Sequence, residues 1–222
     1  AAGYTAGFSV TTGIQNTLIG GLAGDALTDA DFNVAVGVAA LGSDTLGSRS
    51  TALGYGALSV QNFTTATNAY NTAVGYLAGE KITTGQYNTL IGGEAGDAIT
   101  TGASNVAVGF RALSAEDAHG ANVAIGDSAL RNLNAGVNAY NVAVGTEAGI
   151  SITDGVKNTL IGALAGDALT DADQNTAVGL AALSSDTLGS RSTAIGESAL
   201  ITQNFTTATN AYNVAMGYFT GG

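Results

Sequence analysis

The sequence predicts an all-β fold, a parallel β-solenoid wound from coils of about 17 residues. Three observations predict it. First, a pentapeptide of the type Asn33-Val34-Ala35-Val36-Gly37 recurs twelve times, starting at residues 16, 33, 50, 71, 88, 105, 122, 141, 158, 175, 192 and 213. Second, eight of the eleven spacings between starts are 17 residues, and the others are 21, 19 and 21. Two-helix repeats need more than about 30 residues, so a unit this short is a strand-and-turn unit. Third, the pentapeptide alternates and is rich in β-branched residues, which suits a strand.

Each position of the coil has a physical reason to recur, because in a solenoid every residue lies over its copy in the previous coil. Position 1 is Asn in ten copies (Asn16, Asn33, Asn71, Asn88, Asn105, Asn122, Asn141, Asn158, Asn175 and Asn213) and Ser50 and Ser192 in the other two. Stacked amides are expected to form a ladder, each side chain bonding the next. Positions 2 and 4 lie on one face of the strand and position 3 on the other, with Val or Ile at position 4 stacking as an apolar column. Glycine at position 5 needs a positive φ or a close backbone approach. Position 8 is Ala in eleven copies and Thr220 in the last. A second short strand is expected around it. Position 9 runs Gly, Leu, Leu, Gly through each block of four coils. Turn-forming runs such as Gly42-Ser43-Asp44 and Asp154-Gly155 close the lap.

A longer period overlies the coil. The third interval in each block of four is lengthened, and residues 16–80 match 158–222 closely at an offset of 142. The whole of 1–222 therefore reads as one repetitive domain. Ala2-Gly3-Tyr4 aligns with Val74-Gly75-Tyr76, so the chain is expected to be a piece of a longer repeat protein. Twelve or so coils at ~4.8 Å each make a rod about 60 Å long.

Composition excludes several classes. With 33 glycines, no proline and no fixed glycine at every third residue, collagen is excluded. A charged fraction of 10% and a mean hydropathy of +0.26 argue against disorder. A net charge of −11 argues against a nucleic-acid partner, which needs a basic surface. No cysteine is present, so no disulfide framework forms. No apolar run is long enough for a membrane-spanning helix, and no membrane insertion by this segment is expected.

Chemistry-bearing motifs are few. Gly126-Asp127-Ser128-Ala129-Leu130 resembles the nucleophile block of an esterase family, but its counterpart in another coil is Gly54-Tyr55-Gly56-Ala57-Leu58. The only histidine, His119, has no triad partners around it in sequence. No catalytic residue and no cofactor is assigned. Asp29, Asp31, Asp171 and Asp173 alternate like the start of a calcium loop but lack its Gly and distal Glu, and turn residues are the simpler reading. The lengthened coils carry the loops 61–70, 131–140 and 203–212, which must bulge from the rod. Asn62, Phe63, Tyr70, Arg131, Asn132, Asn204, Phe205 and Tyr212 are the candidate contacts to a host receptor or glycan.

Both strand faces carry apolar side chains, yet a 17-residue coil has a single interior. The second face, taken to be the Ala/Leu flank, must be shielded by further copies of the chain. With the copies aligned, the chain resembles the heads of trimeric autotransporter adhesins. It is even more similar to the repeats of phage tail-fibre proteins, of which Asn71-Thr72-Ala73-Val74-Gly75-Tyr76-Leu77-Ala78-Gly79 is a unit as it stands. The resemblance implies a left-handed β-roll, a homotrimer, and display on a virion or cell surface to bind hosts. The expected function is thus a non-enzymatic, extracellular tail-fibre segment. A bacterial adhesin head and a monomeric solenoid binding calcium or ice are the alternatives. Ice binding would need Thr-x-Thr on every coil, and Thr65-Ala66-Thr67 and Thr207-Ala208-Thr209 occur only in the loops.

Overall fold

The computed structural model describes residues 1–222. Its strands in chain order are β1 (Thr17–Ile19), β2 (Val34–Val36), β3 (Gly47–Ser48), β4 (Thr51–Leu53), β5 (Thr67–Asn68), β6 (Thr72–Val74), β7 (Thr89–Ile91) and β8 (Val106–Val108). They continue as β9 (Val123–Ile125), β10 (Val142–Val144), β11 (Thr159–Ile161), β12 (Thr176–Val178), β13 (Gly189–Ser190), β14 (Thr193–Ile195), β15 (Thr209–Asn210) and β16 (Val214–Met216). One strand from each pentapeptide joins a single 12-stranded parallel sheet, in the order β1-β2-β4-β6-β7-β8-β9-β10-β11-β12-β14-β16. Each residue pairs with its counterpart one coil on, so Val34 lies beside Thr51 and Ala35 beside Ala52. The fold is therefore a parallel β-solenoid of about 12 turns.

The lap closes through left-handed backbone rather than through a second strand. Thirty non-glycine residues have positive φ, and they fall at repeating positions: Phe32 before the Asn, then Ala39 and Leu41 at positions 7 and 9. The segment around the fixed Ala was expected to be a strand. It is instead a string of tight turns, because alternating left-handed residues keep reversing the chain, with Ala40 N–H donating to Gly37 O (3.3 Å) and Gly42 N–H to Ala39 O (3.2 Å). Stacking still satisfies it, since Leu41 N–H donates to Ala57 O one coil away (3.0 Å). Gly37 meets both demands predicted for position 5. Its φ is +137°, and a Cβ there would collide with Gly54 O of the next coil.

The interior is the position-3 face. Ala35, Ala52, Ala107 and Leu90 are fully buried, as is the Ala at position 8 from Ala23 to Ala199. This reverses the expected placement of the Ala/Leu flank: it lies inside the coil, and the Val/Ile/Thr face of positions 2 and 4 points outward. The reason is volume. A lap of 17 residues encloses a thin interior, which small Ala side chains at two fixed positions fill without crowding. One Leu is then added at position 3 or position 9 in the first three coils of each block. Where position 3 is Leu (Leu18, Leu90, Leu160), position 9 is Gly (Gly24, Gly96, Gly166), and a Cβ on Gly24 would lie 2.7 Å from Leu18 Cδ2. Where position 3 is Ala in the second and third coils of each block, the Leu stands at position 9, as in Leu41, Leu58, Leu113 and Leu130.

The buried asparagine column is a ladder with different rungs from those expected. Asn33 Oδ1 accepts the backbone N–H of Ser50 (2.9 Å) and its Nδ2 donates to Gly47 O (2.9 Å). The same pair of bonds recurs at Asn158, to Asn175 N and Ala172 O. Direct amide–amide contacts are secondary, at 3.3 Å for Asn88 to Asn71. The main-chain ladder starts only at position 2, where Val34 N–H donates to Ser50 O (2.9 Å). The buried N–H of position 1 would be left unpaired without the amide below it.

Candidate binding surface and buried polar corners

Column 4 of the outward strand face is aliphatic throughout the twelve strands (Met216 in the last), and column 2 is Thr or Val; none of these positions is charged. Ile19, Leu53, Ile91, Ile125 and Ile161 are all more than a third exposed. The strip is about 10 Å wide and more than 50 Å long at standard strand dimensions. It is bordered in sequence by two columns that hold all eight tyrosines. Tyr70, Tyr87, Tyr140 and Tyr212 precede the Asn, and Tyr4, Tyr55, Tyr76 and Tyr218 follow the Gly. Each of the eight is exposed. Coil stacking puts them in register, so Tyr55 and Tyr76 stack at 5.5 Å and Tyr70 and Tyr87 at 5.8 Å. Arg49 fits between Phe32 (4.7 Å) and Tyr70 (5.9 Å), extending that column as a cation–π stack.

The lengthened coils bulge less than their length suggests. In 61–70, Gln61, Phe63 and Ala69 are buried, and Thr67–Asn68 pairs with Gly47–Ser48 as β5 on β3. Only 64–66 are exposed in a continuous run. Phe63 is thus an anchor of the loop and not a projecting contact, while Asn62 is half-buried and accepts from Thr45 Oγ1 (3.1 Å). In the third block Asn204 is exposed, Phe205 half-buried, and Tyr212 OH accepts from Arg191 Nη1 (2.7 Å). In 131–140, Arg131 is half-buried and Asn132 exposed, with Leu133, Ala135 and Ala139 inside. Of the eight candidate contacts, Asn132, Tyr70, Asn204 and Tyr212 are exposed, Asn204 also accepting from Thr187 Oγ1 (3.2 Å). The two Tyr belong to the aromatic column and not to the loop tips.

The four aspartates considered for calcium are spread along two turns. Asp31 and Asp173 accept backbone N–H groups of the preceding coil, from Ile14 (2.7 Å) and Val156 (2.8 Å), and Asp29 accepts from Thr12 Oγ1 (2.6 Å). Asp171 is exposed. Three of these carboxylates hold coil to coil.

Sequence reading missed the buried corner at position 12. There Asp44 is fully buried, its Oδ1 accepting from Gly47 N (3.0 Å) and Phe63 N (3.0 Å) and its Oδ2 from Gln61 Nε2. Gln61 in turn donates to Ser50 Oγ (3.1 Å) and accepts from Asn71 Nδ2 (2.9 Å). Asp186, Gln203, Ser192 and Asn213 repeat the network in the third block. The signal was present as the replacement of Ser for Asn at positions 50 and 192, which opens the space that the glutamine fills. In the middle block the same corner holds Glu116, also fully buried. Its Oε1 accepts from His119 N (3.1 Å), and its Oε2 has no partner. Burial raises the Glu116 carboxyl above its ordinary value, opposed by that backbone hydrogen bond and by His119.

No family model, no curated protein and no solved structure matches the chain.

Proposed function

We propose that the chain is a segment of a non-enzymatic, homotrimeric extracellular fibre, of the kind that phage tail fibres present to a host surface. The observation that carries this reading is the uncharged Val/Ile/Thr strip, continuous over twelve coils, with exposed tyrosines recurring in the columns on either side. Monomers seldom expose apolar patches above about 300–600 Å². With its aromatic margins the strip reaches the order of 800 Å² per partner that a stable interface buries. All eight Tyr, a residue enriched in interfaces, stand in the two bordering columns. A second copy fits because its own strip has the same length, rise and chemistry. Three copies around one axis is the number that the repeat resemblance implies, and the pattern resembles tail-fibre units more than adhesin heads. Host adhesion falls to the exposed loop segments around Asn132, Asn204 and 64–66, which recur every four coils, about 19 Å apart.

Mass photometry on the purified chain tests the assembly. A particle of three times 21.7 kDa is expected, and a lone 21.7 kDa rod overturns the proposal. The double substitution V108K/V144K places charge on the strip without touching the core. It is expected to dissociate the trimer while leaving the β circular dichroism unchanged, since an unpaired buried charge costs several kcal/mol. Glycan-array binding by the chain with and without residues 64–66 tests adhesion, and equal binding by both assigns recognition elsewhere.

A further inference from the structure

We infer that Glu116, Asp117 and His119 form a binding site for one transition-metal dication of the zinc class. The three offer ligand atoms that all lie within 4.8 Å of one another. Two independent features point to a missing ligand there. Glu116 is 0% exposed and its Oε2 has no hydrogen-bond partner. The Nδ1 of His119 is likewise enclosed and unpartnered, 3.9 Å from Glu116 Oε1. Two buried orphans of opposite character, one a carboxylate oxygen and one a ring nitrogen, stand side by side.

The other two blocks show what this corner looks like when protein groups complete it. Asp44 and Asp186 receive three donors each, the third from Gln61 or Gln203 one coil on. The residue one coil on from Glu116 is Leu133, which cannot donate. His119, the counterpart of Gly47, gives the same backbone N–H bond but turns its Nδ1 to Glu116 at a distance too long for a hydrogen bond. A cation between them satisfies both.

The donor set selects the metal. One imidazole and two carboxylates suit a borderline cation at ~2.0–2.2 Å from each ligand. Calcium wants six to eight oxygens, and magnesium an octahedron of them. Three protein ligands leave the fourth tetrahedral position to water. Asp117 is exposed and His119 half-buried, so both side chains can close on the ion, while the Asp117 main chain is pinned by Thr100 Oγ1 donating to its carbonyl (2.9 Å). The His119 N–H bond to Glu116 Oε1 orients the carboxylate from behind. Burial raises the Glu116 pKa, so metal affinity falls in acid.

The test is titration of the metal-stripped chain with Zn²⁺ at pH 7.5 by calorimetry, and with Co²⁺ by visible absorption. One ion per chain is expected, with the absorption of four-coordinate Co²⁺. H119A and E116Q should each weaken binding on the order of 100-fold or more. H119A alters a part-exposed side chain and E116Q keeps the side-chain shape, so circular dichroism should confirm that both fold. No ion bound by the wild-type chain overturns the site. Binding that survives both substitutions also overturns it, by assigning the metal to other surface carboxylates.

Discussion

The corner at 44–63 and the corner at 116–133 occupy the same place in the coil and solve the same problem in opposite ways. Both bury a carboxyl group inside a stack of turns. The first surrounds it with two backbone N–H groups and a glutamine. The second leaves one oxygen bare beside a histidine. The difference teaches that a solenoid position is defined by space and not by residue type, and that each coil must satisfy its own polar groups from the coil above. The neighbouring coil decides the difference: Gln61 Nε2 and Phe63 N both donate to Asp44, whereas Leu133, the counterpart of Gln61, cannot donate to Glu116.

Breaking the closed corner is the largest expected effect. Asp44→Ala strands the Gly47 and Phe63 backbone amides in the interior at about 1–3 kcal/mol each, while Gln61 Nε2 keeps its bond to Ser50 Oγ. Contacts in a solenoid are between neighbours, so the loss is local. Hydrogen exchange at Gly47 and Phe63 should accelerate by several orders of magnitude, with amides of the distant coil 141–157 unchanged.

Gln61→Leu copies the middle block into the first. It removes one donor from Asp44 and one acceptor from Asn71, which keeps its bond to Gly85 O (2.7 Å). A cost of about 1–3 kcal/mol is expected, read as a lower denaturant midpoint for this block.

Glu116→Gln sharpens the comparison through pH. The folded-state pKa of Glu116 is raised by burial, so the folded chain binds its proton more tightly than the unfolded chain. Between the ordinary carboxylate value and the raised one, the native state holds more protons and stability falls as pH increases. That contribution is fully present below the ordinary value and lost above the raised one. In chelator, E116Q should flatten this part of the stability–pH curve and be the more stable form at neutral pH. Asp97 and Asp167 are raised too, chiefly by burial, and have the same sign.

The smallest effect belongs to the surface. Tyr70→Ala removes a stack with Tyr87 and a cation–π contact with Arg49, at about 0.5–1 kcal/mol. If the tyrosine column lies in a subunit interface, the same substitution weakens the assembly by more than it weakens the coil.

What the residues determined alone was the coil. A 17-residue recurrence of Asn, an alternating triplet and Gly leaves parallel, in-register stacking as the way to satisfy every main-chain group, and the 12-stranded sheet has that register. The glycine at position 5 followed from the same stacking, whereas the alanine at position 8, expected in a second strand, lies buried in a string of turns. Alternation could say that Val34 and Ala35 face opposite ways, but not which way is in. The sense of closure decided that, through left-handed turns at residues such as Phe32, Ala39 and Leu41 that no propensity marks. Likewise the amides of the Asn column bond backbone rather than each other, because the unpaired N–H they meet appears only once the ladder is built. The orphaned oxygen of Glu116 is the furthest from sequence, since it depends on a leucine 17 residues away being its neighbour in space.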